Sequence, residues 1–199
     1  MPYSHNSDRT TFRSLFAFPW NVFIIAIGIA LLLRIFAIQM FAIPTPSMRP
    51  TLEPGDRILV EKLSKFSRGV QRGDVVVFDA ADVWTAPGAT DDYVKRVIAV
   101  AGDRVVCCTV DGRITVNGVV IDEPYLLEQG KTRSFDIVVQ PERLWVLGDN
   151  REESADSSAF RGAPGGGTIP ERQVIGRVVA IVWPLQRAGI LGTPNEGTE

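Results

Sequence analysis

The sequence predicts a mostly β protein: one antiparallel β-sheet domain, built as two packed sheets or a partly closed barrel, on a single N-terminal transmembrane helix. Three observations predict it. One long apolar run occupies the chain between Leu15 and Ile43. After it, short runs rich in Val and Ile alternate with Gly, Asp, Asn and Pro turn signals. No amphipathic helical stretch of any length follows the apolar run.

The apolar run reads in two registers. Leu15 to Leu33 is uncharged over about 19 residues, close to the ~20 that span a bilayer. Trp20 to Ile43 is longer but includes Arg34 and Gln39. An arginine at mid-bilayer costs at least ~2.5 kcal/mol, so Arg34 snorkels to an interface and Ile35 to Ile43 lies at the outer membrane surface. A cleaved signal peptide would have a shorter core and a small-residue site after it, and Phe36 to Ala42 offers a poor one, so the run reads as a retained anchor. Arg9 and Arg13 before it and Arg34, Arg49 and Arg57 after it leave the orientation undecided by charge. The expected division is a cytoplasmic tail over 1–14, the anchor and membrane-proximal segment over 15–43, a catalytic domain over 44–187 and a disordered tail over 188–199.

Strands are expected at Arg57 to Val60, Asp74 to Phe78, Tyr93 to Val100, Arg104 to Cys107, Arg113 to Val116, Phe135 to Val139, Leu144 to Leu147 and Val174 to Trp183. Asp111-Gly112 and Asn117-Gly118 are strong hairpin signals. Asp79 to Asp92 reads as a polar loop, Ala159 to Thr168 as a mobile one, and the chain from Gly189 onward as disordered. Gly165-Gly166-Gly167 is not followed by Lys-Ser/Thr, so it is no phosphate loop.

Composition excludes several chemistries. The net charge of -2 gives no electrostatic footprint for nucleic acid. The single histidine, His5, lies in the polar N-terminal stretch, which argues against a Ser-His-Asp triad and rules out a site of several histidines. Cys107 and Cys108 are adjacent and no spaced Cys/His set exists, so no metal and no cofactor is expected. Neighbouring Cα atoms lie ~3.8 Å apart, closer than disulfides prefer; a strained vicinal bond, a free pair and an intermolecular bond all stay open.

Three segments carry chemistry. In Pro46-Ser47-Met48-Arg49-Pro50-Thr51-Leu52 two prolines hold a serine in rigid extended backbone beside the anchor. In Tyr93-Val94-Lys95-Arg96-Val97-Ile98 strand alternation puts Lys95 on one face with Tyr93, Val97 and Ala99. A lysine so desolvated can lose its charge and act as a base, whereas an unperturbed one, with pKa ~10.4, stays protonated. Gly148 to Ser158 reads as a polar shell in which Asp149 pairs with an arginine and Ser154 orients an amine. Each segment alone also has an ordinary structural reading: a stiff linker, a strand-end lysine, a solvated turn.

Taken together and in this order, Pro-Ser-Met-x-Pro-Thr-Leu, Tyr-Val-Lys-Arg and Gly-Asp-Asn-Arg-x-x-Ser-x-Asp-Ser after an N-terminal anchor resemble bacterial type I signal peptidase, from Ile43 to Trp183. The vicinal cysteines and single span resemble actinobacterial forms. The resemblance implies a Ser-Lys dyad: Ser47 as nucleophile and Lys95 as general base. It implies an oxyanion donor in Thr45, a Ser154 bond to the Lys95 amine, and support from an Arg96–Asp149 ion pair and Asp156. It implies substrate contacts at Ile43, Pro44, Met48, Leu52, Asp92, Tyr93 and Val94, with small pockets for alanine-like side chains and the substrate added as a strand beside Asp92-Tyr93-Val94. The implied partners are signal peptides of exported preproteins, the lipid bilayer and the secretion machinery. The implied location is the cytoplasmic membrane, single-pass, with the catalytic domain outside.

The chain departs from the family pattern at three positions. Ala99 and Ala101 stand for glycine and proline, and Ala99 is expected to crowd the Lys95 face. Ser158 stands for the arginine that usually partners Asp156, with Arg151 or Arg161 as substitutes. These departures keep two alternatives in view: an inactive signal-peptide-binding paralogue, and a dedicated processing peptidase with few substrates. A penicillin-binding type of acyltransferase would need Ser-x-x-Lys and Lys-Thr-Gly, and here Ser47 precedes Met48-Arg49-Pro50 while Lys131-Thr132 precedes Arg133.

Overall fold

A computed structural model describes residues 20–63, 68–85, 92–126, 128 and 132–192, and of residues 31–36 the backbone alone. The chain divides between Phe36 and Ala37. The expected tail over 1–14, the first residues of the expected anchor, the middle of the Asp79–Asp92 loop and the last seven residues of the C-terminal tail lie outside the described residues.

Helix α1 (Trp20–Ala37) presents Trp20, Val22, Phe23, Ile24, Ile25, Ile27 and Ile29 to the exterior. No helix among the described residues is long and apolar enough to cross a membrane.

The rest is antiparallel β. The large sheet is built from β1 (Ile38–Ala42), β2 (Arg57–Glu61), β3 (Val75–Asp79), β4 (Asp92–Ala99), β9 (Arg143–Leu147), β10 (Ile169–Pro170), β11 (Val174–Trp183) and β12 (Gly189–Ile190). Its order is β1-β2-β11-β3-β4-β9-β10, with β12 on β11. The small sheet runs β7-β6-β5-β8, from β5 (Arg104–Cys107), β6 (Ile114–Val116), β7 (Val119–Val120) and β8 (Phe135–Val138).

Burial follows the strand period. In β2 Ile58 and Val60 point inward, and β11 alternates buried and half-buried side chains along most of its length. Central β3 buries Val75, Val76, Val77 and Phe78, both its faces being covered. Ile98, Ala99, Trp145 and Leu147 of the large sheet pack with Val105, Cys107, Ile114 and Phe135 of the small one, so two packed sheets share a core. Asn117 (φ 54°) and Gly118 (φ 84°) make the two-residue hairpin between β6 and β7, in the left-handed region that such a turn requires.

The structure differs from the sequence reading in three places. Residues 38–42, read as membrane-proximal, form β1, paired with β2 from Ile38↔Glu61 to Ala42↔Arg57. Helix and strand join inside one apolar run with no Gly or Pro to separate them. The tail from Gly189 begins as β12, Gly189 facing Ile181, and Arg187 just before it holds buried Asp56 at 3.0 Å. The Ala159–Thr168 loop is fastened rather than loose. Phe160 stacks on Trp84 with centroids 4.8 Å apart, and Trp84 Nε1 donates to Gly167 O at 3.1 Å.

Gly176 in β11 marks a close strand approach. A Cβ there would lie 2.5 Å from Glu61 O and 2.8 Å from Val60 Cγ1. Gly176→Ala is expected to destabilise the domain by about 1–3 kcal/mol through overpacking against backbone, read as a lower midpoint in denaturant unfolding of the full chain. An unchanged midpoint would mean that β2 and β11 separate freely.

Candidate active site

Ser47 lies in a short 3-10 turn, Pro46–Met48, rather than in the extended backbone expected for this segment. Pro46 occupies the first position of the turn, where its fixed φ fits and its missing N–H is not needed. Thr45 and Arg49, each preceding a proline, are the extended residues on either side. The turn is held from across the fold. Asn150 N donates to Ser47 O at 3.1 Å, and Asn150 Nδ2 donates to Pro46 O at 3.3 Å.

Lys95 comes from β4. Its Nζ lies 2.9 Å from Ser47 Oγ and donates to the Val94 carbonyl at 2.9 Å. Both Ser47 and Lys95 are buried. Burial pushes the Lys95 pKa down from 10.5 to about 8, against the opposing pull of Asp156 and Asp149. Tyr93 shares the Lys95 face, with Nζ 5.4 Å from its ring centroid. A neutral amine at this distance accepts the hydroxyl proton; an ammonium does not.

Behind the lysine, Arg96 and Asp149 form a bidentate pair, Nε to Oδ1 at 2.8 Å and Nη2 to Oδ2 at 2.6 Å, with both side chains at most 3% exposed. Burial opposes the Arg96 charge, and Asp149 more than offsets it, so the guanidinium pKa moves up. Thr51 Oγ1 donates to Asp149 Oδ2 at 2.5 Å, and the Tyr125 ring lies 3.8 Å from the guanidinium carbon.

A cleft of about 620 Å³ opens over Ser47 and Lys95. Of the residues named from the sequence as substrate contacts, Ile43, Pro44, Met48, Asp92, Tyr93 and Val94 line it. Thr45 lines it too, its Oγ1 3.3 Å from Ser47 Oγ. Leu52 does not. It is fully buried with Ile58, Val60 and Val77 beneath the turn. Ala99 is also away from the cleft. The β4–β9 register shifts between Val97 and Ala99, and Ala99 packs between the sheets with Trp145.

The Gly148–Ser158 loop differs from expectation in its pairings. Ser154 Oγ is buried without a hydrogen-bond partner, so the expected bond to Lys95 is not made. Asp156 is held by Gly148 N at 3.1 Å, Ser158 N at 3.1 Å and Ser158 Oγ at 2.7 Å. Neither Arg151 nor Arg161 pairs with it. Arg151 pairs with buried Glu123 at 2.5 Å, and Arg161 donates to Ser158 O at 3.3 Å. Ser158 itself thus supplies the missing donor.

Sequence reasoning missed Thr51, Glu123, Tyr125, Asn150, Glu153 and Ala155. Asn150 stood inside a flagged segment, but nothing in the sequence assigned it the Ser47 turn. Glu123 and Tyr125 sit in a stretch without periodicity or motif, and only the fold carries them to Arg151 and Arg96.

Related sequences match most of the chain. A family profile described as "Signal peptidase, peptidase S26" matches residues 18–183. A probable signal peptidase I-2 of Synechocystis is 36% identical over 168 residues, covering 84% of this chain and 72% of that one. A probable signal peptidase I of Mycobacterium leprae is 34% identical over 225 residues, covering 86% and 78%. A signal peptidase I crystal structure from Enterococcus faecalis is 26% identical with a TM-score of 0.43, covering 54% of this chain and 95% of that one.

The buried pair gives a stability test. Asp149→Ala leaves Arg96 charged in the interior and is expected to cost about 3–5 kcal/mol, whereas replacing both partners by apolar residues costs less. Denaturant midpoints of the single and double variants check this; a single variant as stable as the parent contradicts it.

Proposed function

The chain belongs to the signal peptidase family, peptidase S26, and on that premise we propose that it is a membrane-anchored serine endopeptidase. It removes N-terminal signal peptides from exported preproteins with a Ser47–Lys95 dyad. The observation that carries this reading is the 2.9 Å approach of Lys95 Nζ to Ser47 Oγ, with the lysine pKa lowered to about 8.

In this mechanism neutral Lys95 takes the Ser47 proton as Oγ attacks the scissile carbonyl carbon. The oxyanion of the tetrahedral intermediate accepts hydrogen bonds from the Ser47 N–H and the Thr45 hydroxyl. The Lys95 ammonium then gives its proton to the leaving amine, and the mature chain departs. Water, deprotonated by Lys95, hydrolyses the acyl-enzyme and releases the signal peptide. Asp156 and the Arg96–Asp149 pair hold the loop in place beside Lys95. The substrate lies extended along Asp92-Tyr93-Val94, its small side chains against Ile43, Pro44, Met48 and Val94. The mechanism draws on no metal or cofactor.

The anchor is the part of the apolar run that precedes β1, and the catalytic domain, which takes in β1 and β12, stands on the outer side of the cytoplasmic membrane. The exposed apolar side chains of α1 support it, because a surface of that kind is stable against lipid and not in water. The partners are the bilayer, preproteins and the secretion machinery that delivers them.

Cleavage of a preprotein by the purified full chain in detergent tests the reading. Ser47→Ala and Lys95→Ala are each expected to abolish cleavage, and the double variant to be no worse than either, since the two act as one unit. Substantial turnover by Ser47→Ala rejects it as nucleophile.

The pH dependence follows from the sign of the lysine shift. Below its pKa the amine is charged and takes no proton, so kcat/KM rises with pH through an acidic limb near 8 and is maximal on the alkaline side of neutral. A flat, chemistry-limited profile down to about pH 5 would exclude a lysine base.

A further inference from the structure

Three charged side chains line the cleft: Asp92, Lys95 and Glu153. Lys95 is buried with its amine beside Ser47 Oγ. The two exposed charges over the reacting serine are therefore both carboxylates.

Glu153 is held where it is. Arg151, two residues before it, and Ser154, directly after it, are buried, while Glu152 between Arg151 and Glu153 is exposed. Arg151 is fixed by Glu123 at 2.5 Å, Thr132 Oγ1 at 2.9 Å and Gly148 O at 3.0 Å. Ser154 lies against Gly148, where an added Cβ would come within 2.6 Å of Ser154 Cβ and 2.5 Å of Ser47 O. The backbone on both sides of Glu153 is thus pinned to the segment that carries Ser47. Among the described residues no cation pairs with Glu153. A side chain anchored at its base, uncommitted at its tip and open to the cleft is free to act on what enters.

The lining also divides by chemistry. Phe41, Ile43, Val77 and Val94 give an apolar wall, suited to the small apolar residues before a cut. Glu153 and Ala155 come from the loop after β9, and Glu153 gives that side of the cleft its charge. On this division the apolar residues before the cut take the first wall, which leaves the Glu153 side of the cleft for the chain that continues past Ser47.

We propose that Glu153 selects the charge of the first residues of the mature chain, disfavouring acidic side chains just after the cut and favouring basic ones. This rests on the peptidase reading above. The carboxylate repels a like charge and attracts an opposite one across a solvated cleft. Two such weak effects of opposite sign combine to a discrimination of roughly three- to tenfold between lysine and aspartate substrates.

The test uses the full chain in detergent and one preprotein with its residues before the cut held constant. The first two mature positions carry Lys, Gln or Asp. The quantity read is the ratio of kcat/KM for the Lys and Asp forms, in which any general loss of activity cancels. A ratio of about three to ten is expected for the unaltered protein, falling toward one in Glu153→Gln and inverting in Glu153→Lys. Raising salt to about 0.5 M is expected to compress it. A ratio that Glu153→Gln leaves unchanged, or charge sensitivity confined to positions before the cut, overturns the inference while leaving the peptidase reading intact. Failure of the unaltered protein to cleave any form overturns both.

Discussion

The buried ion pair between Arg96 and Asp149 joins three parts of the chain that are remote in sequence. Arg96 comes from β4, Asp149 from the loop that β9 enters, and Thr51, which donates to Asp149, from the segment just after Ser47. Two charges removed from water are stable only when their remaining hydrogen-bonding capacity is met. Here Gly73 O accepts from Arg96 Nη1 at 3.0 Å and Thr51 donates to the carboxylate. The planar fork of the guanidinium fixes the carboxylate in direction as well as distance. The loop carrying Gly148 and Asn150 is thereby set against the Ser47 turn.

The position of Lys95 follows from that pair. Adjacent residues of a strand point to opposite faces. With Arg96 committed to the interior side, Lys95 is turned to Ser47 and the cleft. Its burial favours the neutral amine, while Asp156 and Asp149 favour the ammonium. The balance leaves the amine near the pH range in which it can exchange a proton. Asp156 also accepts the Gly148 N–H and both Ser158 donors, so the carboxylate that tunes the lysine shapes the loop as well.

The small sheet contributes more than a second layer. The chain that follows β7 delivers Glu123 to Arg151 and Tyr125 to Arg96. Just before β8, Arg133 Nη1 donates to Ser154 O at 3.3 Å. Cys107 and Cys108 are joined in a disulfide at the end of β5, and Ser134 Oγ donates to Cys107 O at 3.2 Å. The loop beside Ser47 is therefore braced from the rear by residues that belong to no motif.

The sequence by itself determined the fold class and most strand positions, because alternation and turn chemistry are local properties. Arg104–Cys107 and Val174–Trp183 stand where they were expected. It also singled out Ser47, Lys95, Arg96 and Asp149, since each lies in a short stretch of distinctive residues. The tertiary structure alone decided the rest. β1 was hidden in an apolar run that gave no sign of where helix became strand. β10 and β12, two residues each, are too short for any periodicity and exist through their partners. Leu52, adjacent to the serine segment, turned into the core, and Ser158, an apparent loss, became the donor to Asp156. Glu123, Tyr125 and Glu153 reach the site through long-range packing. Local sequence encodes backbone habit and burial period, whereas the partner of a polar side chain depends on which distant segment the finished core brings within hydrogen-bond distance.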